Sequence, residues 1–470
     1  MYSPLSRVIG RAPLTCAPNL TIREVLGRIN EHRVGSMVVV DPATGHPIGI
    51  FTLRDLLQRV ALPVCDLDRR IEDVMTRKLV TLSPEASAYQ AALAMARNGL
   101  RHLLVVDGEH LIGVVSQSDL FNLQRIGIRE ISADIRDATG IETLVRSAGD
   151  IRQLAERMLR QGMGAETLTQ LISTLNDLLA IRIIELLAPR FDLPAVPMCW
   201  IALGSVGRFE QTLSTDQDNG IIFEPPTEQE KEAIRSRLVP FAQAVNQALD
   251  ACGFPLCRGD VMAGNPQWCL SLEEWRGKFT DWIVSPTPDA LLNATIFFDF
   301  RPLYGEESLA GRLREWLMRV APTNAMFLVH AAGNALTCRP PLGKIRDFVL
   351  DGDKDFPKTI NLKMYGSRPF VDAARVYSLV YGVHHTNTAE RLRMVGERIG
   401  LSGDDLAAVI SGFYFIQILR LRRQINPTTP PGGENRVNPY SLNEMDRRML
   451  KEAFKQARKL QMNLALRYNL

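Results

Sequence analysis

The 470-residue chain lacks most marks of a specialised protein class. Its seven cysteines are scattered over Cys16, Cys65, Cys199, Cys252, Cys257, Cys269 and Cys338, an odd number with no CxxC pair. That pattern argues against a disulfide framework or a structural zinc site and points to a reducing cytoplasm. Net charge is nearly absent: 55 Lys+Arg against 52 Asp+Glu leave +3, too weak a field to make nucleic acid a default partner. No run reaches the length of a membrane span; the best, 178–188, is broken by Arg182 and Glu185. Residues 1–20 carry Pro4, Arg7, Arg11 and Pro13 and no apolar block of the signal-peptide kind. A chain that is neither secreted nor membrane-spanning is expected. Its 46% apolar and 23% charged residues fall in the globular range, and the length predicts about three domains.

What the sequence does have is an internal repeat. Leu14-Thr15-Cys16-Ala17-Pro18 returns 66 residues later as Val80-Thr81-Leu82-Ser83-Pro84, and Met37-Val38-Val39-Val40-Asp41 returns as Leu103-Leu104-Val105-Val106-Asp107. Gly49-Ile50-Phe51-Thr52-Leu53-Arg54-Asp55-Leu56 returns as Gly113-Val114-Val115-Ser116-Gln117-Ser118-Asp119-Leu120, at an offset of 64. Each copy reads helix, strand, turn, strand, helix, with helical apolar spacing over 22–32 and 88–97. The repeat resembles a CBS pair covering residues 1–125, with motifs at about 8–60 and 74–125. The resemblance implies that Asp55 and Asp119 take the ribose hydroxyls of an adenine nucleotide beside Thr52 and Ser116, and that the pair forms a homodimer. A carboxylate suits a vicinal diol because it accepts two bonds. The same residues also read as plain helix caps.

After a helical connector over 126–195, a new element begins near Met198. It reads Cys199-Trp-Ile-Ala-Leu203-Gly204-Ser205-Val-Gly207-Arg208 and continues to Asp216-Gln217-Asp218-Asn219-Gly-Ile221-Ile222. Gly204 lets backbone approach a phosphate closely, and Ser205 offers a hydroxyl near a helix start. Asp216 and Asp218 lie at i and i+2, so on an extended strand both face one way. Two carboxylates on one face suit a hard divalent cation, and Arg208 suits an anionic phosphate. The stretch resembles the signature of polymerase-β-type nucleotidyltransferases, nearest to the domains of bacterial PII uridylyltransferase and glutamine-synthetase adenylyltransferase. It is closer still to a bacterial family that places a CBS pair ahead of this domain. The resemblance implies two Mg²⁺ ions, an NTP donor and a third carboxylate from a later strand, for which Asp260 is preferred over its rival Asp299. Gln217 and Asn219 depart from the apolar residues usual between and after the acids.

Other motifs fall away. Asp351-Gly-Asp353-Lys-Asp355 has Phe356 and Leu362 where an EF-hand loop needs Gly and Glu, and Gly343-Lys344 lacks the upstream glycine of a P-loop. No His-Asp dipeptide occurs, so the hydrolase half of PII uridylyltransferases is not expected. From 306 onward helical patterns follow one another, with Lys344, Arg346, Lys358, Lys363 and Arg368 in loops or helix starts and Arg420, Arg422 and Arg423 on a basic face. The expected architecture is α/β plus all-α: CBS pair, connector, nucleotidyltransferase core over 196–305 and helical substrate-binding bundle over 306–470. The expected activity moves an NMP from NTP to a PII-like protein or a small-molecule acceptor, tuned by adenine nucleotide at the CBS pair. Asp260 would complete the site of Asp216 and Asp218. The rival expectation is a catalytically idle nucleotide sensor acting through a protein partner.

Overall fold

The computed structural model describes all residues except 1–3, 10, 11, 33, 344–346, 351 and 427. It divides into two compact units, Met1–Glu130 and Ile131–Leu470. Among the described residues, no helix is long and apolar enough to cross a membrane.

In the first unit the repeat becomes two equivalent sheets. Strands β1 (Thr15–Cys16), β2 (Ser36–Val40) and β3 (Pro47–Thr52) form one, and β4 (Thr81–Leu82), β5 (His102–Asp107) and β6 (His110–Ser116) form the other. Each joins a parallel pair to an antiparallel pair, and the register slips at the same place in both, at Val39/Val40 and Val105/Val106. Helices α1 (Ile22–Glu31) and α2 (Ala88–Asn98) follow the expected period and bury Ile22, Val25 and Ile29 in one copy and Ala91 and Met95 in the other. The copies also exchange segments. Residues 70–76 pack on the first sheet, with Thr21 bridged to Arg70, whereas the N-terminal segment packs on the second, with Pro4 bridged to Ser87. Leu5 is accordingly fully buried among second-copy residues. Gly49 and Gly113 leave the room: a Cβ there would meet Met75 and Ile9 respectively.

The chain enters the second unit within helix α3 (Gln117–Asp137). Amphipathic helices α4 (Ile141–Arg160) and α5 (Ala165–Leu187) lead to a four-stranded sheet. Its strands are β7 (Met198–Ala202), β8 (Asn219–Phe223), β9 (Cys269–Ser271) and β10 (Arg301–Gly305), in the order β10-β7-β8-β9. Only the β8–β9 pair is parallel, because α6 (Lys231–Ala251) lies between those strands in sequence as a crossover. One face packs on an aromatic core of Trp268, Trp275, Phe279, Trp282, Phe297 and Phe298, most of it carried by α7 (Leu272–Val284) and α8 (Pro288–Phe297). Helices α9 (Glu307–Val320), α10 (Ala325–Ala335), α11 (Arg368–Tyr381), α12 (Thr388–Val395), α13 (Gly403–Gln424) and α14 (Glu444–Tyr468) complete the unit. They enclose a second core around Phe370, Phe413, Phe454 and Leu460.

Candidate active site

Strand β7 is central and buried, so the chain leaving it must turn at once. Gly204 makes that turn with φ +54, a left-handed conformation that favours glycine, and a Cβ on it would sit 2.8 Å from Asp218 Oδ2. The glycine-serine turn and the carboxylate are therefore in direct apposition, tied further by Leu203 N–H donating to the Asp218 carbonyl at 3.0 Å. Gly207 is as constrained, since a Cβ there would fall 1.8 Å from the Asp299 carbonyl oxygen.

Asp216 and Asp218 lie in the segment just before β8 and alternate with Gln217 and Asn219, which are bonded around Asn246. Gln217 donates to the Asn246 and Phe254 carbonyls, and Asn219 Oδ1 accepts from Asn246 Nδ2 at 3.0 Å and Ala263 N–H at 2.8 Å. The polar departures from the superfamily pattern thus satisfy a buried asparagine on α6, and Asn246 explains them. Asp216 is about half exposed, with Lys363 Nζ 3.8 Å from its Oδ1. Burial, and next the charge of Asp216, push the Asp218 pKa up to about 6, against the pull of the Cys257 thiol, Lys363 and Arg208. A carboxylate pair that repels itself in this way is an oxygen donor set suited to a hard divalent cation.

The third carboxylate is not where the sequence reading put it. Among the described residues, no three His, Cys, Asp or Glu side chains form a group able to hold a metal ion. Asp260 sits exposed on a left-handed turn at φ +53, its Oδ2 accepting from Asn265 Nδ2 at 2.9 Å and its carbonyl from Trp268 Nε1 at 2.9 Å. The turn that buries Trp268 sets this placement, and the expected second Mg²⁺ ion loses its extra carboxylate. The rival Asp299 is wholly buried and taken by three guanidiniums: Arg208 Nη1 at 2.8 Å, Arg375 Nη2 at 2.6 Å and Arg391 Nη1 at 2.6 Å. Burial raises its pKa, but Arg375, Arg391 and Arg208 outweigh that and hold it well below the carboxylate range. Arg208, expected to neutralise charge on a leaving pyrophosphate, is paired with Asp299 and with Glu210 at 2.7 Å.

A cavity of about 210 Å³ adjoins these groups. Ser205, Arg208 and Asp216 line it from the core, and Lys363, Arg368 and Arg420 from the helical region. Lys363 belongs to a widened π-helical turn, Lys363–Ser367, that feeds α11, a local irregularity frequent at functional sites. Reading the sequence missed Glu210, Arg375 and Arg391. No local signal marks the two arginines, which meet Asp299 across 76 and 92 residues of chain. Lys344 and Arg346 lie outside the described residues.

In the first unit, the two hydroxyl–aspartate pairs are formed but are not equivalent. Thr52 Oγ1 donates to Asp55 Oδ2 at 2.7 Å and Ser116 Oγ to Asp119 Oδ2 at 2.6 Å, each a helix-capping arrangement. Asp55 Oδ1 is also occupied, by Thr76 Oγ1 at 2.8 Å and by Arg59 at 3.7 Å. Asp119 Oδ1 has no partner among the described residues.

Family models match as "Putative nucleotidyltransferase DUF294" over residues 149–289, "Putative nucleotidyltransferase substrate binding domain" over 325–468, and CBS domain over 5–62 and 71–125. The CBS domain-containing protein YhcV of Bacillus subtilis is 34% identical over 106 residues, 23% of this chain and 74% of YhcV. The mitochondrial CBS domain-containing protein CBSX3 of Arabidopsis thaliana is 32% identical over 111 residues, 23% of this chain and 54% of its own. Among solved structures, a CBS domain protein from Pyrobaculum aerophilum complexed with AMP is 28% identical. That match covers 25% of this chain and 89% of the other, with a TM-score of 0.24. The chain belongs to the family that joins a CBS pair to a DUF294 nucleotidyltransferase domain and its substrate-binding C-terminal domain.

Proposed function

We propose that the protein transfers a nucleoside monophosphate from an NTP to a hydroxyl of an acceptor, a PII-like protein or a small molecule, and releases pyrophosphate. The observation that carries the reading is the apposition of Gly204 and Asp218, 2.8 Å from missing Cβ to carboxylate oxygen, beside a cleft that their neighbours Ser205 and Asp216 line together with Lys363, Arg368 and Arg420. Asp216 and Asp218 are the residues to hold Mg²⁺, the remaining coordination coming from phosphate oxygens and water. Bound there, the ion supplies charge neutralisation at the triphosphate. Ser205 and the backbone beside Gly204 seat the triphosphate. The acceptor oxygen attacks the α-phosphorus, its proton passes to water beside the half-exposed Asp216, and the α–β bridging bond breaks with its electron pair leaving on pyrophosphate. Arg208 orients the turn through Glu210 and Asp299.

Regulation belongs to the CBS pair, where an adenine nucleotide binds and a homodimer forms. The test is to incubate the protein with each labelled NTP and cell extract, beside D216N and D218N. Label transfer lost in both variants supports the reading, and transfer unchanged in either assigns the chemistry elsewhere. A second reading, a catalytically idle nucleotide sensor, is favoured by the missing third carboxylate. It calls for Mg²⁺-dependent NTP binding without pyrophosphate release from any acceptor.

A further inference from the structure

A buried guanidinium is costly unless an opposite charge meets it. The arginines around the cleft obey this with one exception. Arg208 is paired with Glu210 and Asp299, Arg375 with Asp299 and Asp372, and Arg368 with Asp372. Arg420, on α13, is only 7% exposed and lines the same cavity. Its two bonded nitrogens donate to neutral groups, Nε to Asn435 Oδ1 at 2.8 Å and Nη1 to Gln417 Oε1 at 2.6 Å. Among the described residues no carboxylate lies within ion-pair distance of it, and Nη2 has no partner. Glu210, the acid that acts on it through space, already accepts from Arg208 and from Thr388 N–H. Burial, and then the charge of Arg208, lower the Arg420 pKa to about 10.

We propose that Arg420 is the receptor for a phosphoryl group in the cleft, held in place by Gln417 and Asn435 so that its free nitrogen meets the anion. The inference rests on the nucleotidyltransferase reading for its ligand class, and on the unpaired charge for its position. A guanidinium offers phosphate parallel donors in a fixed fork, which neither Lys363 nor the paired arginines can supply. The phosphoryl group belongs either to the donor triphosphate or to the acceptor.

The probe is inorganic pyrophosphate with Mg²⁺, titrated into the full-length protein by calorimetry. R420M should weaken binding by at least about tenfold. Without ligand it should melt at the same temperature as the parent or higher, because an uncompensated buried charge has gone. If a non-hydrolysable NTP competes with pyrophosphate, the group is the donor's; if pyrophosphate binds beside saturating NTP, it is the acceptor's. Unchanged pyrophosphate affinity in R420M would overturn the proposal. A crystal of the parent protein soaked in pyrophosphate decides the matter even where R420M does not fold, since an anion bound away from the Arg420 guanidinium also overturns it. Arg420-dependent binding without label transfer would sink the enzymatic reading and leave the anion site standing.

Discussion

Asp299 offers the sharpest separation between a catalytic and a structural carboxylate. In D299N three guanidiniums lose their shared acceptor. Arg208 keeps Glu210 and Arg375 keeps Asp372, but Arg391, 1% exposed, keeps only the His385 carbonyl among the described residues. One buried cation is then uncompensated, and breaking a buried pair in this way costs about 3–5 kcal/mol. For a unit of this size the melting temperature should fall by roughly 4–7 °C near neutral pH. The pH dependence follows from linkage. A folded-state pKa held below the ordinary carboxylate value adds stability above that value and loses it as pH falls toward the folded one. The gap between parent and D299N should therefore be widest near pH 7 and narrow below about pH 4. Thermal melts by circular dichroism across that range, with label transfer measured on the folded fraction, test it. A D299N protein that melts with its parent yet loses transfer would refute the reasoning and make Asp299 a metal ligand after all.

Other consequences are equally direct. G204A forces a left-handed alanine and drives its Cβ into Asp218 Oδ2. It should cost about 1–2 kcal/mol in stability and about 100-fold in transfer rate, by melts and steady-state assays; a rate within a fewfold of the parent would separate the turn from the chemistry. Because Asp218 holds its proton up to about pH 6, Mg²⁺ affinity by calorimetry should weaken about tenfold per pH unit below that value. The metal-free protein should lose the stability this proton confers as pH rises from about 4 through about 6, and D218N should flatten both profiles. In the CBS pair, D119N should abolish AMP binding to the full chain, whereas D55N, whose carboxylate is engaged by Thr52, Thr76 and Arg59, should mainly lower the melting temperature. AMP titrations with stoichiometry check this, and two equivalent sites would contradict it.

The repeat was legible because strand pairing copies it: Thr15↔Val38 and Thr81↔Leu104 are the same register 66 residues apart. The segment exchange was not, since the helical and strand periods of each copy say nothing about which sheet residues 4–9 join. That choice is made by Leu5 and Ile9 finding space against the second copy and beside Gly113. Helix positions in the last third follow the 3.6-residue period, but a local cap pattern does not fix where a helix starts. Ser441-x-x-Glu444 reads as a capping box, yet the helix begins after Asn443, which accepts from Asp446 N–H at 2.8 Å, while Ser441 bonds back to Asn438. At the site, the pairing of Asp216 and Asp218 could be read from spacing because alternation is a local property. The roles of Asp260 and Asp299 depend on long-range partners, Trp268 and three arginines, and no spacing rule carries those.

The same long-range bonds bear on whether the core and the helices after it are separable. Thr386 Oγ1 donates to the Gly207 carbonyl at 2.7 Å, Asn387 Nδ2 to the Arg208 carbonyl at 3.1 Å, and Thr388 N–H to Glu210 Oε1 at 2.7 Å. The turn that apposes Ser205 to the acids is therefore gripped by residues almost two hundred positions later. Cutting the chain at 305 removes that grip, two of the three guanidiniums of Asp299, and the Phe327 wall of the aromatic core. Asp299 would keep one cation in a site that burial makes hostile to its charge. A fragment of residues 131–305 should show helical far-ultraviolet dichroism but no near-ultraviolet signal from its tryptophans and no cooperative melt. Residues 131–470 should show all three, as the compact unit they form requires. A cooperative transition in the shorter fragment would mean that the arginine–carboxylate network fastens two independently folded domains, and is not the means by which the glycine-serine turn acquires its shape.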